Sequence, residues 1–155
     1  PVADLVPAAQ TLFAGEGVDF TADQTAAVLD MMLERIVFLE DLKAANWLHT
    51  APTAFPEKML KKRWKDDTDG ILEELADELR AVPPFEADSI EAAFKAFLER
   101  KDLGFGQVLL PFRIALTGEG GGPSMFAFAA FLGLDATLDR LTQGKNLIAQ
   151  QRAEA

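Results

Sequence analysis

The chain has 155 residues, 49% of them hydrophobic, and a formal net charge of −10 from 15 basic and 25 acidic side chains. That length and apolar content suit one globular unit, or two small ones sharing a core, and exclude a disordered tail. No apolar run approaches the roughly 20 residues that span a bilayer, and zero cysteines with a single histidine, His49, exclude disulfides, thiolate metal sites and a zinc site or serine triad of the usual kind.

In chain order, the start "PVADLVP" lacks the basic and apolar regions of a signal peptide, so a cytoplasmic setting is expected. The missing initiator methionine fits either a segment of a longer protein or a cloning choice. Leu5, Ala8, Ala9, Leu12 and Phe13 mark a short helix stopped by "GEG". "TADQ" at 21–24 is a capping box, with Thr21 accepting from an early backbone N–H and Gln24 reaching back. It opens a helix predicted over about 22–44, with Val28, Met32, Ile36 and Leu39 on one face. "NWLHTAPTAFPEK", with two prolines and no periodicity, is a linker that places a subdomain boundary near residue 50.

Pro56 suits the first turn of the next helix, which carries "KMLKKRWK" and is predicted to end at "DDTDG". This stretch holds Lys58, Lys61, Lys62, Arg63 and Lys65, five of the 15 basic residues, so the charge of the chain is polarised although its sum is acidic. Ile71, Leu72, Leu75 and Leu79 mark an amphipathic helix ended by "VPPF". "DSIE" at 88–91 reads as a second capping box before Phe94, Phe97 and Leu98, and "DLGFG" breaks the chain before residue 106.

"GQVLLPFRIALTG" is apolar on too many sides for a surface helix, which predicts the central helix of the second subdomain, bent at Pro111. Its one charge is Arg113. Gly118 is expected as the left-handed cap, Pro123 in the first turn of the following helix, Gly133 at its end, and Asp135 as the cap of a last helix. No period-2 run and no internal repeat appear, so the fold class is all-α: two small helical subdomains, 1–50 and 51–155. "GEGGGP" lacks the preceding strand and the lysine of a phosphate loop and reads as a helix-to-helix turn.

Residues 104–141, with "GQVLLPFRIALTG", then four residues, then "PSMFAFAAFLG" and "TLDRL", resemble the C-terminal end of bacterial glutamyl-tRNA synthetases. "AVLDMMLERIVFLEDL" is similar, more loosely, to the helix preceding the final subdomain in that family. The resemblance implies an anticodon-binding helical bundle whose partner is the tRNA for glutamate, with no DNA or membrane partner. It also implies that ATP and Mg belong to the parent enzyme's catalytic domain, that this segment carries no cofactor, and that it forms no glutamyl-adenylate by itself.

Carried over by position, the arginine two after the proline of "PFRIALTG" is Arg113, which the resemblance places at the anticodon surface. Gly122, Pro123 and Met125 are implied at the bases, and Arg35 is implied as the reader of the last anticodon base, associated with refusal of the tRNA for glutamine. The turn "EGGG" departs from the family in offering no side chain beyond Glu119, so base contacts there fall to the backbone. "KMLKK" looks like the lysine-rich signature loop of class I synthetases, but the nucleotide-binding domain that owns such a loop is absent and the match is accidental.

Each assignment has a plainer counterpart. Arg113 would otherwise pair with an acid inside the bundle, Arg35 with Glu34 or Glu40, and the lysine cluster would be a solvated face rather than a tRNA-phosphate patch. Trp47 and Trp64 read as packing residues and His49 receives no role. A reading from another class is an acidic helical protein-interaction module without RNA binding.

Overall fold

The structure, a computed structural model, describes residues 1–154, and every regular element among them is helical. The chain divides into two compact units, Pro1–Thr50 and Ala51–Ala155.

In the first unit α1 (Val2–Gly15) packs on α2 (Ala22–Met32). The capping box forms as its letters require: Thr21 Oγ1 accepts from Gln24 N at 3.0 Å, and Gln24 Oε1 accepts from Thr21 N at 2.9 Å. Phe13, Val28, Leu29 and Leu42 are buried between the elements, and the Phe13 ring meets Phe20 edge-on at 4.9 Å.

The helix predicted over 22–44 ends at Met32. It gives way to 3-10 turns at Leu33–Arg35, Leu39–Ala44 and Asn46–Leu48, with Ile36 and Phe38 extended between the first two. The cause is local. Asp41 Oδ2 accepts from the backbone N–H groups of Val37 and Phe38, each at 2.9 Å, which diverts those donors from an α-helical ladder at two residues, Ile36 and Val37, that are already β-branched.

The second unit comprises α3 (Glu57–Arg63), α4 (Thr68–Arg80), α5 (Ala87–Lys101), α6 (Phe105–Thr117), α7 (Met125–Leu132) and α8 (Leu134–Glu154). As its composition predicts, α6 is the central helix, touched by α3, α4, α5, α7 and α8. Phe112, Ile114, Ala115 and Leu116 are buried, and Phe112 joins Phe94 and Phe126 in an aromatic cluster with centroid separations of 5.3–6.1 Å. Pro111 lies buried within α6, and the helix runs on through it to Thr117.

Several ends differ from those predicted. Pro56 is the N-cap of α3 rather than in its first turn, and "DDTDG" is shared, Asp67 being the N-cap of α4 and Thr68 its first residue. Helix α5 starts at Ala87 after Glu86, so "DSIE" lies in its first turn and makes no side-chain cap. Ser124, not Pro123, starts α7: its Oγ accepts from Ala127 N at 3.2 Å, leaving Pro123 outside. Asp135 falls within the first turn of α8, where its charge favours the helix dipole, rather than at the cap.

Candidate nucleic-acid interface

Helix α6 ends on Gly118, whose φ of 72° is left-handed, and a Cβ there would come within 3.0 Å of Pro52 Cβ. Thr117 Oγ1 donates to Arg113 O at 2.8 Å and accepts from Glu119 N at 3.0 Å, tying the last helical turn to the first loop residue. Gly122, with φ of 155°, lies two residues before Ser124.

Arg113 is half-buried beside this turn, and its Nη2 donates to the Pro123 carbonyl at 3.3 Å. The guanidinium therefore braces the loop across ten residues, bringing Arg113, Gly122, Pro123 and Met125 into one neighbourhood. Glu119 to Gly121 are exposed at its tip. Met125 is only 1% exposed and Pro123 is buried, so the side chains of these two, implied at the bases by the resemblance, offer no surface to a base. Both pack inward because Ser124 starts α7 with a core-facing turn, and they shape the loop instead.

A second cation on this unit has a different setting. Arg140, from "TLDRL", is buried, donates from Nη1 to the Leu116 carbonyl at 2.8 Å and lies 5.4 Å from the Phe128 ring centroid. Burial lowers its pKa to about 10, so it keeps its charge at neutral pH. It satisfies a carbonyl in the last turn of α6 and so supports the helix that carries Arg113. Sequence reasoning passed over it, because a lone arginine in a polar-looking stretch carries no mark of burial.

The basic cluster is split by the fold. Lys61 pairs with Glu57 at 3.1 Å, and Lys65 Nζ donates to the Lys61 carbonyl at 3.0 Å. Lys58, Lys62 and Arg63 are exposed, with no ion pair among the described residues. A cleft of about 150 Å³ opens among Lys62, Arg63, Lys65, Thr68 and Gln107, with Asp67 also on its wall. Trp64 is buried, its indole N–H donating to Asp69 at 3.0 Å, and Trp47 is buried in the first unit, both as packing residues.

Arg35 lies in the first unit, exposed at the end of the Leu33–Arg35 turn. It forms no ion pair with Glu34 or Glu40 among the described residues. Asp41, further along the same segment, was not singled out from the sequence, because a continuous helix would have left it on a solvated face. Its two backbone hydrogen bonds, with Phe38 and Val37, hold its carboxyl below the ordinary 3.8.

Comparison with known proteins places this geometry. The family described as "Anticodon binding domain" matches residues 3–145. The glutamate–tRNA ligase of Christiangramia forsetii is 38% identical over 115 residues, covering 74% of this chain and 23% of the ligase. That of Phocaeicola vulgatus is 35% identical over 133 residues, covering 85% and 26%. A solved glutamate tRNA ligase from Elizabethkingia meningosepticum, in complex with its amino acid, superposes with a TM-score of 0.88 at 26% identity over 92% of this chain and 28% of its own. The chain thus spans about a quarter of the length of the curated relatives it matches. With the match running through both units, the chain belongs to the anticodon-binding domain family.

Proposed function

We propose that this chain recognises the anticodon of the tRNA for glutamate, as the RNA-reading part of a protein that ligates glutamate to that tRNA. The ligation itself, with its ATP and Mg, belongs to portions of the longer relatives that this chain does not match, and the setting is cytoplasmic. The observation that carries the reading is Arg113: a permanently charged planar donor, held half-buried against a glycine-rich loop whose tip is exposed. Sequence-specific RNA recognition favours unstacked loop bases, gripped along their edges by such donors and by backbone groups that approach closely where no Cβ intervenes. Gly122 supplies that backbone approach, and Arg35 supplies a second guanidinium, this one exposed, assigned here to the last anticodon base. Lys58, Lys62 and Arg63, with Lys65 at the cleft, supply phosphate contacts that position the RNA without reading it.

Anisotropy titration of a labelled anticodon stem-loop from the tRNA for glutamate tests the reading. Arg113→Ala is expected to weaken binding about tenfold, a bidentate contact to a base contributing roughly 1–3 kcal/mol. An unchanged Kd would overturn the role of Arg113. No binding by the native chain even at low salt would favour an acidic protein-interaction module instead. For Arg35→Gln the expected outcome is a reduced preference between stem-loops differing only in the last anticodon base; an unaltered preference removes Arg35 from the reading.

A further inference from the structure

Val37 is 84% and Phe38 67% exposed, the most exposed large apolar side chains among the described residues. Single exposed apolar groups are ordinary on protein surfaces. This pair is set apart by how its backbone is held. Ile36 and Phe38 are extended, and one carboxylate oxygen of Asp41 fixes the N–H groups of both Val37 and Phe38 at 2.9 Å. A flexible loop could fold an aromatic residue back onto the core, whereas here the restrained backbone fixes where the Phe38 side chain leaves the chain, and the ring stands 67% exposed. Arg35, exposed and without an ion-pair partner among the described residues, belongs to the same short segment.

A flat apolar ring and a guanidinium in one rigid segment have a chemical counterpart in an unstacked nucleobase. The base has two π-faces that stack on a ring regardless of its identity and edge acceptors that attract a cation, and the backbone phosphate of its nucleotide attracts a cation as well. A protein partner covering Val37 and Phe38 would also have to cover Arg35 and the exposed carboxylates of Glu34 and Glu40 around them, whereas one base needs only the face of the ring and a single donor. We infer that Phe38, flanked by Val37, is a stacking platform for a splayed base of the anticodon loop, held ready by Asp41, with Arg35 beside it as the group that discriminates among bases. This rests on the anticodon-binding reading above and adds to it a contact that supplies affinity rather than choice.

The test uses the whole chain and anticodon stem-loops carrying 2-aminopurine at each anticodon position in turn, because this base loses fluorescence when it stacks on a ring. With the native chain, one position is expected to be quenched on binding. Phe38→Ala should abolish that quenching and weaken binding about tenfold, while Phe38→Trp should retain both; Phe38→Leu, apolar but not planar, should behave as Phe38→Ala does. Because Phe38 is exposed, none of these variants is expected to alter the thermal unfolding of the chain, and that control is run alongside. If Phe38→Ala binds and quenches like the native chain while Arg113→Ala binds weakly, the platform is wrong and the anticodon reading survives. If the native chain binds none of the stem-loops, the reading and the platform fall together.

Discussion

Arg140 donates to the carbonyl of Leu116 and packs over Phe128, whereas Arg113, also in the second unit, is half-exposed at a loop. Arg140→Ala would leave the Leu116 carbonyl without this donor and a void beside the ring. We expect a loss of about 2 kcal/mol in urea unfolding, together with weaker RNA binding that follows the loss of fold. Arg113→Ala should show the opposite pattern, weak binding with near-native stability. Asp41 is the second residue whose role is checkable through its proton. Its folded pKa lies below the ordinary 3.8, so its contribution is fully present above that value and disappears as pH falls through the lower folded value. Comparing native and Asp41→Asn chains from pH 7 downward should therefore show a difference at neutral pH that closes in the acid range.

At the scale of elements, the packing of α6 on α8 depends on a missing side chain. A Cβ at Gly144 would lie 3.1 Å from the Ala115 carbonyl oxygen and 3.2 Å from its Cα and Cβ, between two packed helices with little room to yield. Alanine is the better helix former by about 1 kcal/mol, but forcing two packed helices apart costs about 1–3 kcal/mol. Gly144→Ala is thus expected to be net destabilising in urea titration, and to disturb α6 where Arg113 is carried. The α2 capping box, by contrast, was readable letter by letter because both partners are within three residues of each other. The failed extension of α2 past Met32 has an equally local cause, but it required a choice. The apolar spacing of Val28, Met32, Ile36 and Leu39 is compatible with a helix, and the capture of two N–H groups by Asp41, beside β-branched Ile36 and Val37, decides against it.

For the whole molecule the question is how a chain of net charge −10 would hold RNA. The answer proposed here is local polarity: Lys58, Lys62 and Arg63 stand exposed without ion-pair partners among the described residues, while Lys61 is already engaged by Glu57. Replacing Lys62 and Arg63 together by alanine should weaken stem-loop binding evenly across anticodon sequences. It should also lower the slope of log Kd against log salt, by about 0.7–0.9 for each phosphate that is no longer neutralised. Lys61→Ala should change the slope less. Equal slopes for all three would mean that the cluster is a solvated face.

The sequence by itself determined the all-helical class, the central place of α6 and the Thr21 cap, because each follows from composition or from partners a few residues apart. Only the tertiary structure decided that Pro123 and Met125 turn inward, that Arg140 is buried and that Phe38 faces solvent. Those outcomes depend on which surfaces meet across long stretches of chain, and a residue's exposure is a property of its neighbours in space rather than of its own letter.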